Sequence, residues 1–283
     1  MFDSTRFIAQ VNIKGTLPEG RFSDQDILDI GYDCLLSEIV PMVLECREEF
    51  LVTYVDLAIT AGQEAYPIPS RALNGVLREV KRISAGSIVN LGKITLDDMT
   101  DTSQGNPRSF YISSNNLCLY PTPSATTDTL RLYYFIRPSR MVPTSECAVI
   151  TNITGNDLTV SFPATWTTAN TFDLVRGKAH FEPLAMDLSA TTVSAGTITM
   201  AANVPTTLAV GDYITLADET CFPYLPPEGH VSLVQSTIAA CLESIGDPAG
   251  ANAAAKATML MDKLKSVLGL RVQGECNLGT RLL

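Results

Sequence analysis

The sequence predicts an α+β fold: a helical core of one N-terminal helix and a C-terminal αα-hairpin, with flanking strands and an inserted small all-β domain. Three observations predict it. Apolar residues recur at three- and four-residue spacing from Ser23 to Glu49 and again in two segments after Phe222. Pro107 to Arg140 reads PRSFYISSNNLCLYPTPSATTDTLRLYYFIRPSR, two runs of aromatic and β-branched residues flanking a Pro-x-Pro turn. Residues 144–222 are rich in Thr, Val and Ala, poor in charge, and punctuated by turn signals.

Residues 1–22 contain Gly15, Pro18 and Gly20 with little periodicity and read as an N-terminal arm. Ser23 is a good helix N-cap, and Asp26 three positions on completes a weak capping box. Leu28, Tyr32, Leu35, Ile39 and Val43 form the apolar stripe, with Asp26, Asp29 and Asp33 on the opposite side. Pro41 should kink or divide this helix near Ile39–Val40, because it lacks the donor and crowds the preceding turn. Strands follow from Phe50: LVTYVDLAIT, then the proline-punctuated AYPIP. Arg71 to Ser84 reads either as a short helix or turn before a strand, or as strand. Residues 86–106 read as a long Gly, Asp and Asn-rich excursion with a short helix near Leu96–Thr100. Asn115 and Asn116 split the first aromatic run into two short strands, since Asn tolerates the left-handed turn conformation.

Pro138 and Pro143 bracket a boundary. Beyond it, AVITNI, DLTVSF, TFDLV, TITMAA and a strand after the Val210-Gly211-Asp212 turn suggest a small β-module at 144–222. A helix from about Glu228 to Ile245 presents Val231, Val234, Ile238 and Leu242, and Gly246 ends it. Asp247 caps the next helix, Pro248 occupies its first turn, and Ala254, Ala257, Leu260 or Met261, Leu264 and Leu268 form its stripe. With so short a link the two helices should pack as a hairpin. Three glycines make residues 269–283 an extended C-terminal tail. The helical domain therefore spans 23–143 and 223–268.

Composition excludes several classes. At 46% hydrophobic and 18% charged residues the chain is globular rather than disordered. No apolar run reaches the roughly 20 residues that span a bilayer, and MFDSTRFIAQV lacks the features of a secretion signal, so a cytoplasmic site of synthesis is expected. Seven cysteines without a Cys-x-x-Cys, and only His180 and His230, argue against a zinc site or disulfide framework; free buried or half-buried thiols are expected. No nucleophile elbow, phosphate loop or catalytic carboxylate pair is present, so no enzyme and no cofactor is expected. Asp97, Asp98 and Asp101 lack the glycine and terminal Glu of a calcium loop and read as a solvated loop. Asn152-Ile153-Thr154 is an incidental glycosylation match. Charge is segregated: Ser23–Glu49 holds eight carboxylates against Arg47 alone, whereas Arg71–Arg140 holds nine basic residues against five acids.

Pro107, Phe110, Tyr111, Asn116, Leu117, Leu119, Tyr120, Pro121 and Pro123, followed by Thr129 to Arg140, resemble a strand pair and strand found in the head-to-tail adaptor (connector) proteins of tailed bacteriophages. The resemblance covers 23–140 and 223–268 and weakens in the 144–222 insert. It implies a helical adaptor core and a structural virion protein. Such a protein forms a ring of twelve copies beneath the portal, extends the DNA channel and connects the capsid to the tail. The implied partners are the portal protein, tail or nozzle proteins, further copies of the chain, and viral DNA passing without sequence-specific contacts. No membrane is involved. The implied location is the virion neck, assembled in the host bacterial cytoplasm. In that setting Asp26, Asp29 and Asp33 would line the channel and repel phosphates. Leu270, Arg271, Val272, Leu278, Arg281, Leu282 and Leu283 would dock the tail on the portal, Arg137 and Arg140 would meet a neighbouring subunit, and the insert would project toward capsid, tail or fibre proteins.

Two other readings stand beside it. A tail terminator or accessory protein would be mostly sheet, and the two C-terminal helices favour the adaptor. A carbohydrate-binding module would use Trp166 and Tyr213 of the β-insert as stacking aromatics, a role that core packing explains as well.

Overall fold

The computed structural model describes residues 2–98, 104–161, 163, 165–177, 183–194 and 196–269. The chain divides into two compact units, one of Met1–Arg47 with Pro138–Leu283 and one of Glu48–Arg137. The expected helical core with a small β-insert is overturned. Among the described residues there are eighteen strands against five α-helices, and six of the strands close a barrel. Residues 48–137 are not strands flanking helices but an all-β unit with its own buried residues.

In the first unit, α1 (Ser4–Gly15) lies where an arm was expected; Asp3 caps it, accepting from Arg6 N at 2.9 Å. The segment was hard to read because Gly15 and Pro18 follow the helix rather than interrupt it, while Phe7, Ile8 and Val11 supply its buried stripe. Next comes α2 (Asp24–Cys34), with the expected capping box: Asp26 N donates to Ser23 Oγ at 3.1 Å and Ser23 N to Asp26 Oδ2 at 2.8 Å. The helix is divided near Ile39–Val40, as expected from Pro41, without a break in the helical path. It passes through a π-turn, Leu35–Ile39, in which Val40 N bonds to Leu35 O, and continues as α3 (Val40–Arg47). The wider turn absorbs the proline's missing donor and its bulk.

The C-terminal hairpin is present as α4 (His230–Ser244) and α5 (Ala249–Leu268), with Asp247 Oδ1 accepting from Ala249 N at 2.8 Å. The helices α1, α2 and α5 all pack on α4, and α3 packs on α5. Surrounded in this way, α4 buries polar as well as apolar side chains, and Gln235, Ser236 and Thr237 are each hydrogen-bonded. Ser236 Oγ donates to Glu38 at 2.6 Å, Thr237 Oγ1 to Leu233 O at 2.8 Å, and Gln235 Nε2 to Ala253 O at 3.3 Å. Val231, expected in the stripe, sits in the first turn and is exposed.

The barrel runs in the order Ala148–Thr154, Asp157–Val160, Thr197–Met200, Pro183–Ser194, Thr171–Val175, Tyr213–Leu216, closing on the first strand. Ile150, Leu158, Trp166, Phe172, Leu174, Ile198 and Ile214 are among the residues that fill it. The Val-Gly-Asp turn has a definite task. Asp212 is buried, and its carboxylate accepts from Gly177 N and Ala209 N at 2.9 Å each. A Cβ on Gly177 would meet Gly211 O at 2.3 Å, so only glycine allows this approach.

In the second unit an antiparallel sheet has the order Val52–Ala58, Thr129–Ile136, Ala72–Ser84, Ser87–Asn90. Leu130, Leu132, Tyr134 and Ile136 of its second strand alternate inward. The ambiguous Arg71–Ser84 segment is strand, with a register shift around Asn74 and Gly75, both left-handed. A second sheet pairs Ala65–Pro67, Asn116–Tyr120, Ser109–Ser113 and Gly92–Lys93 in that order.

Two predictions follow from the helical unit. A Cβ on Gly31 would come within 2.7 Å of Phe7 and 3.0 Å of Met141. Gly31→Ala therefore gains helix propensity of about 1 kcal/mol but overpacks by about 1–3 kcal/mol; denaturant unfolding should show a net loss of stability. His230 stacks on Phe2 at 4.1 Å, and burial pushes its imidazole down to about 4, against a smaller upward pull from Glu228. The unfolded chain, titrating near 6.5, then binds the extra proton first as pH falls. Stability supplied by neutral His230 is complete above pH 6.5 and is lost toward pH 4, about 2–3 kcal/mol in all. Thermal melts of His230→Gln should lack that part of the acid sensitivity.

Candidate interaction surface

The acidity of Ser23–Glu49 is largely answered within the chain. Asp29 takes a two-pronged ion pair from Arg140, Nε and Nη2 each 3.0 Å from a carboxylate oxygen, and accepts from Gln25 Nε2 at 2.8 Å. Glu38 accepts from Ser236, Glu45 pairs with Lys265 Nζ at 2.7 Å, and Glu48 pairs with Arg78 at 2.5 Å. Ser23 occupies Asp26 through the cap, and its hydrogen bonds hold that carboxyl below the usual range. Asp33 is exposed, one helical repeat of seven residues beyond Asp26. Among the described residues no cation pairs with Asp24, Asp26 or Asp33.

Of the three carboxylates expected to line a channel, the structure therefore leaves two open on one stripe of α2 and ties the third to Arg140. Arg140, expected at a subunit interface, is spent in part on Asp29. Arg137 is half-buried, and its backbone N donates to Arg71 O at 2.8 Å. Residues 270–283, which include the seven expected portal-docking residues, lie outside the described residues, as do His180, Cys276 and Asp101.

The aromatics proposed for sugar stacking are not available for it. Trp166 is 5% exposed and packs on Phe172 inside the barrel, and Tyr213 packs edge-on against Phe222 at 4.7 Å. Cys34, Cys118, Cys147, Cys221 and Cys241 are buried, and burial pushes Cys34 to about 12 and Cys241 to about 11, so these two thiols are unreactive at neutral pH. Among the described residues no cluster of His, Cys, Asp and Glu could hold a metal ion, and no helix is long and apolar enough to cross a membrane.

The second unit shows surface features that sequence reasoning missed. On the outer face of its antiparallel sheet, Arg131 lies 4.2 Å over Tyr54 and Lys81 4.8 Å over Tyr133, while Arg131 also pairs with Asp56 at 2.7 Å. Register explains the grouping, because Tyr54 stands opposite Tyr133 and Asp56 opposite Arg131. The strand Ser87–Asn90 went unread inside a stretch taken as an excursion. The available signal was the two-residue Ala85-Gly86 turn, both residues left-handed, between VKRIS and SIVN.

Comparison with known families places this architecture. No curated protein matches the sequence. The family model described as SU10 adaptor protein matches residues 16–170, more than half of the chain. The match takes in α2, α3, the whole Glu48–Arg137 unit and the first two barrel strands, but not α1, α4 or α5. It thus reaches into the insert, where the resemblance read from the sequence weakened, and leaves out the C-terminal hairpin, where that resemblance was judged good. On this evidence the chain belongs to the SU10 adaptor protein family.

Proposed function

We propose that this chain is a neck protein that forms a ring beneath the portal, extends the DNA channel and connects the capsid to the tail. The family membership supports a bacteriophage structural protein of the virion neck, associated with portal and tail proteins. The mostly-β fold removes helix content as a way of telling an adaptor from a tail terminator, and the family match favours the adaptor.

The observation that carries the channel reading is the exposed pair Asp26 and Asp33 on one stripe of α2, neither matched by a cation among the described residues. Carboxylates at a channel wall repel phosphates and offer no condensed counterions to release, so duplex passes without adhering. Asp29, held by Arg140, contributes position rather than field. The Arg140–Asp29 pair sits at the surface, where such a pair is worth about 0–1 kcal/mol. The tail residues Leu270, Arg271, Val272, Leu278, Arg281, Leu282 and Leu283, outside the described residues, are the proposed portal-docking segment on the basis of their apolar and basic side chains.

The test is adhesion to DNA. Rings assembled on the portal from Asp26→Asn/Asp33→Lys protein should retain duplex at low salt and release it steeply as salt rises, while wild-type rings should not retain it. Equal behaviour of the two rings would remove α2 from the channel wall.

A further inference from the structure

Among the described residues, the antiparallel sheet of the Glu48–Arg137 unit has two free edges. Its strands run Val52–Ala58, Thr129–Ile136, Ala72–Ser84, Ser87–Asn90, so Val52–Ala58 and Ser87–Asn90 each lack a described strand partner on one side. Natural proteins blunt such edges with proline, lysine, bulges or very short strands. The other large sheet of the same unit does so: one edge strand is the three-residue Ala65–Pro67, and the other is the two-residue Gly92–Lys93. In the first sheet one edge is the full seven-residue strand Val52–Ala58 and the other the four-residue Ser87–Asn90. VTYVDLA and SIVN contain no proline or lysine, and the one charge, Asp56, is held by Arg131. Ile88 is 62% exposed, Val89 37% and Tyr54 51%.

The backbone groups on these edges can be identified. Ile136 N bonds to Leu51 O and Ile59 N to Asp128 O, so the odd-numbered residues between them face the Thr129–Ile136 strand. Alternation then turns the N–H and C=O of Val52, Tyr54, Asp56 and Ala58 to the open side. On the other edge Leu91 N bonds to Val80 O, and Arg82 stands opposite Val89 and Ser84 opposite Ser87. Ile88 and Asn90 are therefore the residues whose N–H and C=O point outward.

We propose that copies of this chain join edge to edge, Val52–Ala58 of one against Ser87–Asn90 of the next, in a continuous antiparallel sheet. The occupant of each edge is a second copy because the two edges of the one sheet complement each other. Four antiparallel strands make the two edges run in opposite directions. A copy brought alongside by rotation, with the same face of the sheet outward, therefore presents its hairpin edge antiparallel to the first copy's free edge. This is a head-to-tail contact of the kind that closes rings. The inference deepens the ring reading above and rests on it.

Proline substitution tests it with the full-length chain. At Ala58 and Ile88 the amide points outward, so proline removes no hydrogen bond within the sheet. Ala58→Pro and Ile88→Pro should each keep the wild-type circular dichroism spectrum. Mixed with the portal ring of its own genome, each should fail to give the closed multi-copy complex that wild type gives in native mass spectrometry. Hydrogen exchange on the unmodified protein is the second readout. Peptides covering 52–58 and 87–90 should exchange at least about tenfold more slowly in the ring than in the free chain. Closed rings from both variants, or unchanged exchange of both edges in the wild-type ring, would overturn the edge pairing while leaving the ring standing. A wild-type chain that never forms a multi-copy complex would overturn both.

Discussion

A two-residue parallel ladder holds the first unit together. Arg140–Met141 lies beside Glu219–Thr220: the first leads the chain from residues 48–137 into the barrel, and the second leads it out of the barrel to α4. Almost every neighbour is fixed through them. Arg140 grips Asp29 of α2, Met141 packs over Gly31 of the same helix, and Ser4 N at the start of α1 donates to Cys221 O at 2.7 Å. Arg140 N and Val142 N bond to Asp218 O and Thr220 O, while Cys147, Val175, Cys221 and Phe222 pack around the crossing with Val142. A barrel inserted through two adjacent, hydrogen-bonded strands cannot swing as it would on a single linker. Because its exit strand also anchors α1, barrel and helices form one structure.

The same crossing changes the meaning of the acidic helix. Counting charges along Ser23–Glu49 suggests a continuous negative face, yet Asp29, Glu45 and Glu48 are paired with Arg140, Lys265 and Arg78, and Glu38 accepts from Ser236. What survives is narrower, a stripe with Asp26 and Asp33 at its ends. A helix fixed by the Asp29–Arg140 pair, with Asp24, Asp26 and Asp33 matched by no cation among the described residues, suits a wall that must be firmly placed and must not bind what moves past it.

Local signals carried much of the fold. Ser23 and Asp26 specify a helix start whatever surrounds them, and Gly246, Asp247 and Pro248 specify the link between α4 and α5. The Leu130, Leu132, Tyr134, Ile136 alternation likewise specifies a strand. What was illegible depended on partners. Asn74-Gly75 looks like a turn until the neighbouring strand shows it to be a bulge, and Ser87–Asn90 is too short to be read without Lys81–Ser84 beside it. Pro41 marks where the helix divides, but not the π-turn that divides it. Pro183–Ser194 hid in the insert because only Ala190 of its twelve residues is buried, so it carries no clear alternation. The weight given to the helical core followed from these gaps, since Ser87–Asn90 and Pro183–Ser194 proved to be strand, although Ser4–Gly15 proved to be a further helix. Of the candidate surface, the acidic stripe was visible in the sequence. Its neutralisation by Arg140, distant in sequence, and the free sheet edges were not.

The most direct test of the adaptor account is a cryo-electron microscopy map of the neck in the intact virion, with this chain traced into it. The account predicts a closed ring of this chain beneath the portal, with α2 turned toward the channel and Asp26 and Asp33 facing the DNA. A ring in which α2 faces the outer surface, or a neck from which the chain is absent, would contradict it.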